Sequence, residues 1–198
     1  MKKTLLVCAV LLPAGVALAL QCAPQKAPAK HSDPRADNTG YDVAAMYKMH
    51  FNQVTPEVAT GAQPTVGILE ELKAKGVKAV INLRPRHEHN AAEEEAAAKR
   101  LGLRYFNIPV EYMAPKFEQV DEFLKLTDDA ANRPALVHCT MNIRAGAFWA
   151  IRRVLRDGWK WEDAEKEAQR GAPIAAHLKK FASDYIAARP KTEKKGAP

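Results

Sequence analysis

Cys139 and Arg144 enclose Thr140-Met141-Asn142-Ile143 in a segment, ALVHCTMNIRAGAF (135–148), that starts as an apolar run and ends with helical spacing. A buried strand ends at His138-Cys139, and a helix starts at or just after Arg144. That places the turn at the carboxyl end of a strand, where open α/β sheets bind ligands. A helix N-terminus there offers N–H groups and a partial positive charge that suit a tetrahedral anion. The same dipoles favour the thiolate of a cysteine at the loop mouth. Arg144 adds a planar fork that matches two oxyanion oxygens. Thiolate, amide cradle and arginine together make a phosphoryl-transfer constellation. Cys139 is its nucleophile, and Thr140, Met141, Asn142, Ile143 and Arg144 are its anion-binding stretch. The competing reading of a lone cysteine at a strand end is a small buried hydrophobe. His138 before it and the arginine at the helix start favour the chemical role.

A second polar group closes another apolar run. In VINLRPRHEHN, Arg84 and His87-Glu88-His89 follow a predicted strand and are placed to rim the same cleft. Arg84 or Glu88 is expected to order the neighbouring loop, with the histidines exposed. The His-x-His spacing comes with no third ligand, so no metal is assigned, and no cofactor is called for.

The elements that must position these residues alternate. Thr65 caps a predicted helix running through Lys75, with Ile68, Leu69 and Leu72 on one face and Gly76 ending it. Val77–Leu83 reads as a buried strand. Asn90 with Glu93 three residues on opens a second helix, stopped by Gly102. Leu103–Ile108 is the next strand, and Lys116–Leu126 a helix that turns Phe117, Val120, Phe123 and Leu124 inward. Ala135–His138 is a strand and Ala145–Arg156 a helix; Glu162–Gln169 and Ile174–Ala187 are the last helices. Residues 49–61 read as an antiparallel hairpin around Thr55-Pro56 at the sheet edge. Repeated strand–helix units call for a mostly parallel central sheet flanked by helices, a three-layer α/β fold. Trp159 and Trp161 are expected to pack against helices.

The net charge of +7 is a property of the ends. Residues 1–37 hold five basic and two acidic residues, and 179–198 hold six and two, which leaves 19 of each sign between them. A nucleic-acid footprint would put the excess on a folded face, so none is inferred. Met1–Ala19 reads as a secretory signal: Lys2-Lys3, the apolar Leu5–Leu12 and a small-x-small site at Ala17-Leu18-Ala19. Residues 20–40 read as a linker, 41–188 as the folded domain and 189–198 as a basic tail. The expected location is periplasmic, with no transmembrane span. Cys22 is a less favoured lipid-anchor position, because Gln21 stands where such sites want Gly, Ala or Ser. Cleavage would remove Cys8 and leave Cys22 and Cys139, too few for a disulfide framework.

VHCTMNIRAGAFWAIRRV resembles the cysteine loop of a bacterial branch of the dual-specificity and tyrosine phosphatase superfamily, similar to the phosphatase-like domain attached to beta-lactamase-like hydrolases. TGAQPT (60–65), KAVINLRP (78–85) and LGLRYFNIPV (101–110) carry the resemblance over about residues 49–170. It implies the phosphatase α/β fold, a phosphorylated substrate and hydrolysis of phosphomonoesters through a phosphocysteine. Such enzymes carry an acidic proton donor on the loop after the strand preceding the cysteine unit. In PVEYMAPKFE that position implies Glu111 as general acid, with Glu118 the other nearby carboxylate. Three features depart from the pattern. The spacing is C-x4-R instead of C-x5-R, and it is the shorter spacing that rhodanese sulfurtransferases resemble. The loop has no glycine, so Asn142 is expected to take the positive φ. Ala145 follows the arginine where a hydroxyl is common, which leaves Thr140 to substitute. A Cys139 persulfide sulfurtransferase and a non-catalytic anion-binding module are therefore the alternative functions.

Overall fold

Apolar runs without polar alternation form strands buried on both faces, and two of them make the middle of the sheet. The computed structural model describes residues 43–88 and 90–189. The predicted leader and linker, with Cys8 and Cys22, lie outside the described residues, as do His89 and 190–198. The strands are β1 (Asn52–Thr55), β2 (Val58–Gly61), β3 (Ala79–Asn82), β4 (Arg104–Asn107) and β5 (Ala135–His138), in the order β1-β2-β5-β3-β4. β5 pairs in parallel with both β2 and β3, and β3 pairs in parallel with β4. The hairpin expected over 49–61 turns at Pro56-Glu57. Its first strand forms the antiparallel edge, and its second joins the parallel ladder.

Seven helices are described: α1 (Val43–His50), α2 (Val66–Ala74), α3 (Ala91–Arg100), α4 (Phe117–Asp128), α5 (Ile143–Leu155), α6 (Trp161–Ala168) and α7 (Ala176–Ala187). The two-residue period of a strand divides the apolar side chains between two faces. Ala59, Val80 and Leu136 pack against Tyr47, Ile68, Leu69, Leu72, Ala97 and Ala98 of α1–α3. Ile81 and Val137 point the other way, to Val120 and Phe123 of α4, Phe148 of α5 and Tyr185 of α7. α6 lies on the outer side of α5, through Ala147, Ala150, Ala164 and Ala168. The result is the expected three-layer fold. Among the described residues no helix is long and apolar enough to cross a membrane.

Local chemistry sets the helix ends. Thr65 Oγ1 accepts from Ile68 N at 3.2 Å and starts α2. Asn90 Oδ1 accepts from Glu93 N at 3.3 Å and starts α3. Gly76 and Gly102 follow the two helices at φ 86° and 66°, a region costly for other residues. Thr65→Ala removes the only side-chain cap of α2 and is expected to cost about 1 kcal/mol, measured by urea unfolding.

Three details differ from expectation. α1 was not expected from the sequence; among its described residues Tyr47, 6% exposed, packs it onto the sheet. α5 begins at Ile143, before Arg144, because Asn142 turns the chain into the helix one residue sooner. Arg189, assigned to the tail, is tied to Asp121 by hydrogen bonds of 2.7 Å.

Candidate active site

Parallel pairing brings the carboxyl ends of three strands level. Gly61, His138 and Asn82 stand side by side in register, so the segments after β2, β5 and β3 emerge together. Backbone bonds tie them: Cys139 N donates to Gly61 O at 3.3 Å, Gln63 N to Thr140 O at 3.3 Å, and Leu83 N to His138 O at 2.8 Å. The loop after β4 joins through Val110 N to Leu83 O at 3.2 Å.

Strand alternation decides where the two residues at the end of β5 point. His138 follows Leu136 toward α3, whereas Cys139 follows Val137 toward α5. Cys139 is 1% exposed, on the floor beneath the loop. Asn142 stands at φ 64°, ψ 0°, the left-handed conformation expected of it. Fully buried, it donates from Nδ2 to His50 O at 2.7 Å. Gly171 packs on the same amide: a Cβ there would lie 2.0 Å from Asn142 Nδ2. His50 Nδ1 and Gly171 O are 2.7 Å apart, which closes the clamp. Ile143 is the first residue of α5, so the free amides of the helix start border the loop. Met141 bridges to Ala62 in a single antiparallel pair.

Arg144 is 3% exposed and held from four sides. Nη1 donates to Glu88 Oε1 at 2.9 Å and to Val110 O at 2.8 Å. Nη2 donates to Glu88 Oε2 at 2.5 Å and to Thr140 Oγ1 at 3.1 Å. Nε has no hydrogen-bond partner among the described residues. Burial works against the charge of Arg144, but its bond to Glu88 and the attraction of Cys139 and Glu88 overcome this and raise its pKa. Glu88 is the converse. Burial pushes its carboxyl up, while Arg144, the Thr140 hydroxyl and Arg84 together hold it below the ordinary carboxylate range.

Arg84 and Glu88 thus order the loop as expected. Arg84 donates from Nη1 to Gln63 Oε1 and from Nη2 to Glu88 O. His87 is exposed, with Nδ1 3.8 Å from Glu111 Oε1. Glu111 sits at the rim, its side chain 55% exposed and one residue past the carbonyl that holds Arg144. Trp159 packs on Arg153, whose guanidinium carbon lies 4.3 Å from its ring centroid.

Several residues around the site were not anticipated from the sequence. Glu94, 7% exposed, takes His138 Nε2 at 2.8 Å and Gln63 Nε2 at 2.7 Å beneath the loop. Asn82 Nδ2 lies 3.3 Å from the same carboxylate and donates to Tyr105 Oη at 3.0 Å. Within Glu93-Glu94-Glu95, the signal for Glu94 was its spacing to Ala97 and Ala98, three and four residues on and so on one helix face. Nothing in the local sequence marks Gly171 or His50.

Residues 41–183 match the family described as DSP-PTPase phosphatase fused to NAD+ Kinase. No curated protein matches the chain. Among solved structures, a DUF442 phosphatase of Shewanella putrefaciens CN-32 is 27% identical with a TM-score of 0.60, covering 70% of this chain and 89% of that one. The core catalytic domain of the PP-IP phosphatase SIW14 from S. cerevisiae, in complex with citrate, is 21% identical with a TM-score of 0.61 over 69% and 85%. TpbA of P. aeruginosa in complex with pTyr is 22% identical with a TM-score of 0.57 over 71% and 85%.

Proposed function

Because the chain belongs to the family of DSP-PTPase phosphatases of the kind fused to NAD+ kinase, we propose that it is an exported, cysteine-dependent phosphomonoesterase working through a phosphocysteine. The observation that carries this reading is the closed loop itself. Cys139 lies buried at its floor, the left-handed Asn142 turns it directly into α5, and the Arg144 guanidinium closes it. That combination of thiol, helix start and buried cation fits a tetrahedral dianion.

In the proposed sequence the Cys139 thiolate attacks phosphorus, and the S–P bond forms as the bond to the leaving oxygen breaks. Glu111, at the rim, gives its proton to that oxygen. Water then attacks phosphorus, restoring the thiolate and releasing inorganic phosphate. Thr140, whose hydroxyl already lies in the loop 3.1 Å from Arg144 Nη2, takes the place of the hydroxyl missing at Ala145 in helping the thiolate leave. Export rests on the Lys2-Lys3, apolar and Ala-Leu-Ala pattern of the sequence. Phosphoproteins and small phosphorylated molecules both belong to the proposed substrate class.

The test is steady-state hydrolysis of para-nitrophenyl phosphate by the reduced protein, beside thiocyanate formation from thiosulfate and cyanide. Phosphate release alone supports the proposal. Thiocyanate formation without phosphate release would transfer the site to sulfur chemistry through a Cys139 persulfide. Neither activity would leave an anion-binding module. Glu111→Gln is expected to lower kcat for alkyl phosphates by roughly 10²-fold, the lower range for a general acid. Para-nitrophenyl phosphate, whose leaving group needs little protonation, should lose much less. Equal losses on both substrates would remove Glu111 from the acid role.

A further inference from the structure

Every terminal N–H of Arg144 is already in use. A guanidinium has four such hydrogens on its two Nη atoms, and four acceptors meet them. Glu88 Oε1 and Val110 O lie at Nη1, Glu88 Oε2 and Thr140 Oγ1 at Nη2. The Glu88 carboxylate therefore holds the fork in the two-toothed manner in which arginine takes phosphate. It also accepts from the Thr140 hydroxyl at 3.1 Å, so it is bound by two parts of the predicted anion loop at once. Only Nε–H is left over, and one N–H makes no fork.

We propose that Glu88 is an internal anion seated on Arg144 and Thr140, that an incoming phosphoryl group must displace it, and that Glu88 thereby sets the anion affinity of the site. The proposal rests on reading the Cys139–Arg144 loop as a phosphate site. Arg84 gives the displaced carboxylate somewhere to go: its Nε is 3.7 Å from Glu88 Oε2, and its Nη2 binds the Glu88 carbonyl. The carboxylate can leave Arg144 without losing a cationic neighbour. Glu88 ends a three-residue 3-10 turn, Arg86–Glu88, and its side chain is 25% exposed, so the exchange needs no opening of the core.

The experiment is calorimetric titration of inorganic phosphate into the full chain and into Glu88→Gln and Glu88→Ala. If the displaced state makes up about a tenth of the molecules, removing the competitor tightens the apparent Kd about tenfold. Unchanged or weaker phosphate binding in both variants overturns the proposal, because Glu88 would then be holding Arg144 in place for the anion. Para-nitrophenyl phosphate turnover is followed on the same samples. Tighter binding with no turnover by any sample overturns the phosphatase reading and leaves this one standing. Turnover with unchanged affinity overturns this one alone. Should both variants unfold, the phosphate complex of the unaltered protein decides. Glu88 released from Arg144 supports displacement, and Glu88 still on both Nη atoms overturns it.

Discussion

Cys139→Ser is expected to lose phosphomonoester hydrolysis by roughly 10⁴-fold or more, the scale seen when a covalent nucleophile is removed. A serine hydroxyl at the same site would have to give up its proton before attacking, which a thiolate does not. His138, the adjacent titratable group, points to the opposite face of the sheet and is engaged by Glu94 at 2.8 Å. The substitution should leave anion binding intact, since Arg144 and the start of α5 are untouched. Phosphate should therefore still bind to the serine variant by calorimetry while turnover disappears. Retained turnover would show that the reaction does not pass through sulfur.

Gly171→Ala should damage the same loop from outside it. The added methyl would sit 2.0 Å from Asn142 Nδ2 and 3.1 Å from both its Cγ and the His50 carbonyl oxygen. Asn142 has no room to retreat: it is fully buried, and its amide is spent on His50. The crowding costs about 1–3 kcal/mol, and a displaced buried amide adds about 1 kcal/mol more. The larger effect should be on kcat/KM, because Asn142 is the residue that turns the loop into α5. Urea unfolding and turnover measure the two effects. The double variant Gly171→Ala with Asn142→Gly should recover turnover, and stability only in part because the bond to His50 is lost, since glycine keeps the left-handed turn and removes the clashing amide. Failure of that rescue would mean that Gly171 acts on the site by another route.

What the sequence made legible was whatever one segment decides by itself. Thr65 and Asn90 announce their helices because a cap is a contact over three residues, and Ala135–His138 reads as a strand because three apolar residues in a row need burial on two sides. Asn142 was legible by elimination, in a loop without glycine. The start of α5 was less so, because the arginine that closes a loop looks like its last residue when it is in fact inside the first helical turn. Contacts across the chain left little trace. Glu94 looks like one of three solvated acids until α3 is laid over β3 and β5, and the Asn142 clamp joins residues 92 positions apart. The seat of Glu88 on Arg144 was only half legible: the sequence placed Glu88 near the cleft, but not on the fork.

The strand that leads into Cys139 is also the one that must wait. β5 lies last in the chain among the described strands, yet it sits between β2 and β3 and pairs with both. Neither neighbour touches the other across that gap, so the sheet has no middle until β5 arrives. Parallel pairings over such separations repay their loop-closure entropy late. The anion loop, suspended from the end of β5 and clamped by His50, is therefore expected to assemble in the last stage of folding. Pulse-labelling hydrogen exchange should find amides 140–144 protected no earlier than those of β2 and β3. A nascent chain arrested before β5 would hold four of the five strands and the first four helices, and still have no place to put a phosphate.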